Sequence, residues 1–314
     1  MAEIRQQKGV KHYLVIILLL VITVIMMIPL FYIVNTSFRP WAEIKAYPPK
    51  LIYEPSIGSY IRVFTARSVY SPGTAPSEKE LAEMKWYEKI VYEDTNEEIT
   101  RRGDFPKRYL NSLIISILTT LITIILGTLA AYGFSRFKVK GEGNLLFFIL
   151  STRMLPPVIV VIPVFLMYRT FGLNDSHLGL VLLYTAFNVS FAVWVLKGFI
   201  DEIPREYEEA AMVDGYTRWE TFRKVVLPQS VTGIAATAVF VFIFSWNEYA
   251  FAFLLTRNTA QTVPAWLPYQ MGVLGYDWGA AAAGSVMFLI PAMVLTILLR
   301  KHLVRGISFG AIRK

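Results

Sequence analysis

Two ionisable side chains, Arg153 and Glu248, sit inside runs of sequence that are otherwise apolar. A charge facing hydrocarbon costs a few kcal/mol, so each should turn toward a protein interior or a watery cavity. Glu248 belongs to Trp246-Asn247-Glu248-Tyr249, where polar groups lie beside aromatic rings. Such a set suits a sugar, whose hydroxyls need hydrogen bonds and whose C–H faces pack on rings. It equally suits a structural bond from Glu248 to a neighbouring helix or subunit. Arg153 can snorkel to an interface or pair with a carboxylate. Asn188 and Ser190 add small polar groups near the middle of another apolar run, where they line a path or cement helix packing. Other chemistries lack their parts. There is no cysteine, which removes disulfides, thiolate catalysis and thiolate metal sites. His12, His177 and His302 are far apart in sequence. No G-x-x-x-x-G-K-S/T phosphate loop, no H-E-x-x-H and no paired acids on one apolar run are present.

The elements that must carry these residues are membrane helices. Of 314 residues 55% are hydrophobic and 17% charged, and the apolar ones gather in blocks long enough to cross a bilayer. The net charge of +8 is explained by lysine and arginine flanking those blocks, with no basic stripe for nucleic acid. The sequence predicts an all-α polytopic membrane protein of six spans. Residues 1–12 form a short basic N-terminus, 13–34 the first span, and 35–108 a large external loop. Within that loop, prolines make the first half irregular, and a capping box at Ser77 and Glu80 opens one amphipathic helix of about twenty residues. Residues 109–304 form the core, with spans near 110–134, 145–168, 178–200, 231–255 and 280–299, and 305–314 a basic tail. The third span is expected to be kinked by Pro156, Pro157 and Pro163. At 1.5 Å per residue Arg153 would lie about 12 Å into it, and Glu248 about 25 Å along the fifth. Trp266 and Trp278 are expected as interface anchors in an outer loop. Basic clusters at 5–11, 136–140, 197–224 and 300–314 all fall on one side, which puts both termini in the cytoplasm.

Between the fourth and fifth spans lies a polar segment, 201–228. Pro204 suits the first turn of a helix, and Glu206, Glu208 and Glu209 favourably oppose its dipole. Gly215 can close that helix in a left-handed conformation. Thr217 with Glu220 then forms a capping box for a second helix, which Pro228 is expected to end. The segment reads as helix, glycine bend, helix across a membrane face.

This segment carries Glu209-Ala210-Ala211, then Asp214-Gly215, then Val225, Leu227 and Pro228. It resembles the cytoplasmic EAA loop of ABC importer permeases: E-A-A, three residues, G, nine residues, a β-branched residue, one residue, L-P. Val225 stands where that family usually has isoleucine. The resemblance extends to the sugar-type branch, the smaller permease of the maltose kind, through Asn111-Ser112-Leu113, Leu155-Pro156 with Pro163, Gly172-Leu173-Asn174-Asp175, Trp246-Asn247-Glu248 and the tail 306–314. The segment 66–104 is longer than in that branch. The resemblance implies a type I importer bundle in the cytoplasmic (inner) membrane of a bacterium or archaeon. It implies coupling to an ABC ATPase dimer through Glu209, Ala210, Ala211, Asp214, Gly215, Leu227 and Pro228. ATP and magnesium would bind on those partners and no cofactor on this chain. A second related permease, an external solute-binding protein or lipoprotein and a carbohydrate-type solute complete the expected partners. Arg153, Asn188, Ser190, Trp246, Asn247, Glu248 and Tyr249 are the candidate path residues. The rival is an ion-coupled secondary transporter or channel, which would need midplane carboxylates and usually internal repeats; Glu248 alone is thin support for it.

Overall fold

The first apolar run becomes α1 (Val10–Ser37), 28 residues with Pro29 inside it. The computed structural model that shows this describes residues 10–48, 52–71, 73–272 and 275–307. Residues 1–9 and 308–314, which hold most of the basic N-terminus and of the tail, lie outside them. Every residue of α1 from His12 to Tyr32 is exposed in the isolated chain. An apolar helix without protein cover must face lipid or another subunit. By contacts, the chain divides into two compact units. One is residues up to Asp104 with Gln270–Met287; the other is Phe105–Tyr269 with Phe288 onward.

In the first unit the long polar loop is more ordered than its sequence suggests. Four short helices, α2 (Trp41–Ile44), α3 (Gly58–Val63), α4 (Glu78–Glu83) and α5 (Trp86–Thr95), accompany two strands, β1 (Thr65–Val69) and β2 (Glu97–Arg102). The strands pair antiparallel, Thr65 opposite Arg102 and Val69 opposite Glu97, with a register shift between Ala66 and Arg67. The capping box at Ser77 and Glu80 is present. The single long helix expected after it is not: Met84 is extended at ψ 143°, and α5 restarts with Glu88 accepting the Lys85 N–H at 3.2 Å. Asn96, left-handed at φ 59°, then turns the chain into β2.

The second unit holds α6 (Phe105–Arg136), α7 (Glu142–Thr152), α8 (Pro157–Phe171), α9 (His177–Asp201), α10 (Arg205–Val213), α11 (Arg218–Thr221), a π-turn at Phe222–Val226, α12 (Leu227–Gln229), α13 (Val231–Trp246), α14 (Ala250–Leu255) and α15 (Val263–Trp266). A two-residue hairpin, β3 (Met271–Gly272) with β4 (Gly275–Tyr276), precedes α16 (Trp278–Ile307). Among the described residues four helices, α1, α6, α9 and α16, are long and apolar enough to cross a bilayer. Six spans are reached only if two bent pairs each count once: α7 with α8, which meet at 86°, and α11–α12 with α13, at 73°. The expected kink in the third span is therefore a full break. Pro156 and Pro157 supply no N–H to bridge it, and Pro157 instead starts α8.

Small residues let the central helices approach closely. A Cβ on Gly127 of α6 would meet the Ala192 Cβ of α9 at 2.7 Å, and one on Gly233 of α13 would meet the Phe199 ring at 2.3 Å. Two apolar cores result. One, around Ile115, Leu180, Tyr184 and Phe251, lies beside the break in the fifth apolar run. The other, around Ala131, Leu196, Ile200, Phe222 and Val226, lies under the polar segment 201–228. The turn before α9 is fixed by Asp175, at φ 52°, whose carboxylate accepts N–H bonds from Arg257, Asn258, Thr259 and Ala260 at 3.0–3.1 Å. Burial pushes that carboxyl up, but the N–H groups outweigh it and hold it below its ordinary value.

Candidate functional site

The polar segment folds as helix, glycine bend, helix. Pro204 is the N-cap of α10, with Glu206 and Glu208 in its first turn. Gly215 has φ +91°, and nothing lies within 4 Å of where its Cβ would be. Its glycine requirement is therefore one of backbone conformation alone. Thr217 and Glu220 form the capping box of α11. Pro228 does not end the second helix. Leu227 donates to the Phe222 carbonyl across the π-turn, and the proline falls where the ladder returns to α, at the start of α12. Its missing N–H thus costs no regular bond, and the sharp bend is deferred to Ser230.

What anchors this element is not the motif. Glu208, buried, forms an ion pair with Arg136 at the end of α6, and its second oxygen accepts the Tyr132 hydroxyl at 3.1 Å. The same guanidinium donates to the carbonyls of Ile200 (3.0 Å), which also accepts the Ile203 N–H at 3.1 Å, and of Ile203 (2.9 Å), tying the end of α9 to α6. Arg205 adds a bond to the Ser135 carbonyl at 3.0 Å. Ala211 is buried beside Glu208, while Glu209, Ala210, Asp214, Gly215 and Pro228 are exposed and Leu227 is half-buried. Tyr207, Val213 and Trp219 also point outward, Val213 at 86% exposure. A solvent-facing surface that mixes apolar side chains with Glu209 and Asp214, on a firmly seated helix, is the outcome.

The candidate path residues fall at two breaks rather than inside straight helices. Arg153 ends α7 instead of lying within a span; its guanidinium reaches Asn188 Oδ1 at 3.4 Å and lies over the Phe244 ring at 4.3 Å. No carboxylate pairs with it among the described contacts. Asn188 donates to Tyr184 O (2.9 Å) and Ser245 Oγ (3.2 Å), and Ser190 shares a bond with Thr152 at 3.1 Å. The fifth apolar run, expected to be continuous to Leu255, breaks at Asn247–Tyr249. Glu248 causes it: the carboxylate accepts the N–H groups of Phe251 (2.9 Å) and Ala252 (3.2 Å) and the Tyr184 hydroxyl (2.6 Å), capping α14. Trp246 is 1% exposed, stacked on Phe288 at 4.5 Å, with its indole N–H on the Phe288 carbonyl. Asn247 and Tyr249 are exposed. Arg153, Asn188 and Ser245 thus form one polar group, Ser190 with Thr152 a separate pair, Glu248 with Tyr184 another, and Trp246 is packing.

Residues 110–309 match the family described as binding-protein-dependent transport system inner membrane component. The chain belongs to that family. As a permease it is a transport component, not an enzyme. It is 27% identical over 289 residues to the probable ABC transporter permease protein y4oR of Sinorhizobium fredii, covering 92% of this chain and 91% of that one. It is 35% identical over 216 residues to the trehalose transport system permease protein SugB of Mycobacterium tuberculosis, covering 68% and 79%. Its fold matches a chain of a bacterial ABC transporter involved in the import of the acidic polysaccharide alginate, with a TM-score of 0.66 and 20% identity, over 96% of this chain and 99% of that one. The fold is that of a type I ABC importer permease. The permease residues that sequence reasoning missed are Arg136, Tyr132 and Glu208 as an anchor. A basic cluster at 136–140 and an acid inside the motif segment were visible, but nothing in one dimension paired them across 72 residues.

Proposed function

We propose that this permease forms half of the path for a carbohydrate-type solute and receives the movement of a separate ABC ATPase dimer through α10, Gly215 and α11. The observation that carries this is the division of labour within α10. Glu208 faces inward onto α6 and Ala211 is buried, whereas Glu209, Ala210, Asp214 and Gly215, with Val213 and Trp219, face outward as a docking face. A rigid element with a free outer face is what a motor needs to push on. ATP and magnesium belong on the partner subunits, since this chain has no phosphate loop. The solute class rests on the trehalose system among its relatives. A second, related permease and an external solute-binding protein complete the assembly.

The six-span topology with both termini inside, and with 35–108 outside, is part of this reading. So are the boundaries 13–34, 109–304 and 305–314. Glu209, Ala210, Ala211, Asp214, Gly215, Leu227 and Pro228 are assigned to coupling. Arg153, Asn188, Ser190 and Tyr249 are assigned to the path, with Asn247, Glu248 and Trp246 shaping the break beside it. The ion-coupled alternative is not favoured by the family.

The test is co-purification with an ATPase whose hydrolysis rises when loaded binding protein is added, in vesicles that then accumulate solute. Accumulation by this chain alone, without nucleotide, would sink the reading. Glu248→Ala leaves the Tyr184 hydroxyl and two N–H groups without their acceptor, at a cost of about 1–3 kcal/mol each when buried. Uptake should fall, and Glu248→Gln should recover most of it; equal loss in both would point to the charge itself.

A further inference from the structure

The last membrane helix begins under unusual restraint. Asp277 stands just before α16, and its Oδ1 caps the helix by accepting the Ala280 N–H at 2.9 Å. The same carboxylate is gripped by two arginines more than 200 residues earlier in the sequence. Arg62 of α3 donates from Nε to Oδ2 at 2.9 Å and from Nη2 to Oδ1 at 3.4 Å, and Arg67 of β1 donates to Oδ2 at 2.9 Å. Arg62 also pairs with Asp94 of α5 and donates to Ser59 Oγ at 3.0 Å. Arg67 pairs with Glu97 of β2 at 2.5 Å. The second Asp94 oxygen accepts the Trp41 N–H at 2.7 Å, which brings in α2. All five charged side chains are at most 9% exposed. Gly279 completes the joint: a Cβ there would stand 2.4 Å from Ser59 Oγ and 2.8 Å from Arg62 Nη2.

One carboxylate therefore serves two purposes. It starts α16, and it closes a buried network drawn from α2, α3, α5, β1 and β2. Opening such a network strands charges away from water, so it parts as a whole or not at all. Burial works against the Asp277 carboxylate, but Arg62 and Arg67 outweigh it and hold its carboxyl below the ordinary value.

We propose that Asp277 is a positioning residue for transport: it joins the start of α16 and the folded insertion 35–104 into one rigid body, so that an external solute-binding protein docking on the insertion acts directly on α16. This rests on the importer reading. In the assembled complex in vesicles, Asp277→Asn should reduce the ratio of receptor-stimulated to receptor-free ATP hydrolysis by about ten-fold, and Asp277→Glu should restore part of it. If Asp277→Asn does not assemble, Arg67→Gln, which spares the Arg62 pairings, takes its place with the same expectation. An assembled variant that is fully stimulated refutes the joint. A parent complex that the receptor fails to stimulate would remove the importer reading as well, whereas the variant results bear on the joint alone.

Discussion

The segment 201–229 and the insertion 58–102 are built from the same parts and held in opposite ways. Each contains three short helices, a capping box (Thr217 with Glu220, Ser77 with Glu80) and a left-handed residue at a helix end (Gly215, Asn96). The first has one buried ion pair among the described residues, Glu208 with Arg136, beside an apolar core that takes Phe222 and Val226, and leaves its outer face bare. The second is bound into a five-charge network and a two-stranded sheet. A single deep anchor suits an element that another subunit must grasp. Distributed anchoring suits one that must not yield.

The largest blow to the first region should come at its bend. Proline at 215 cannot adopt φ +91°, so Gly215→Pro should abolish uptake while the chain still inserts in the membrane. Gly215→Asn, which tolerates the left-handed region, should retain most of it. Normal transport by the proline variant would erase the distinction between the regions. Next comes the anchor. Arg136→Ala leaves Glu208 buried and unpaired, a loss of about 3–5 kcal/mol, to be read as a lower thermal midpoint and a loss of ATPase co-purification. Glu208→Gln should cost less, since it keeps a hydrogen-bonding group opposite Tyr132.

Acid separates the two more gently. The Asp277 carboxyl titrates below its unfolded value, so its stabilisation is complete above the ordinary carboxylate range and is lost as pH falls through the lowered value. Protection of the β1 and β2 amides, taken as exchange relative to the intrinsic rate at each pH, should therefore fall in strong acid. Unchanged protection there would show that the ion pairs do not hold the sheet. The smallest and most pointed comparison uses matched caps. Thr217→Ala and Ser77→Ala remove the same kind of bond. Only the former should lower ATP-driven uptake, measured at equal expression.

Much of this was legible in one dimension because it depends on local chemistry. Gly215, Thr217 and Glu220 declare their turn and cap through residue type and spacing alone, and the apolar runs declare α1, α6, α9 and α16. The insertion was not legible: Thr65–Val69 and Glu97–Arg102 carry too little apolar alternation to read as strands, and what unites them is ion pairing at long range. The break at Asn247–Tyr249 escaped for a related reason. Its cause is a carboxylate bonding backbone N–H groups in place, a contact that the residue types around it do not announce.

The π-turn at Phe222–Val226 has a consequence for insertions and deletions. A wide turn holds one residue more than the regular ladder would, and each residue advances an α-helix by about 100°. Because the wide turn absorbs that extra residue locally, deleting one of the five should restore ordinary winding with α10 and α11 still close to their present phase. A residue added to or removed from the regular winding of α12, which has no slack of this kind, would instead rotate both by roughly 100° and carry Glu208 out of reach of Arg136. The π-turn thus gives this stretch a tolerance to length change that its flanks lack.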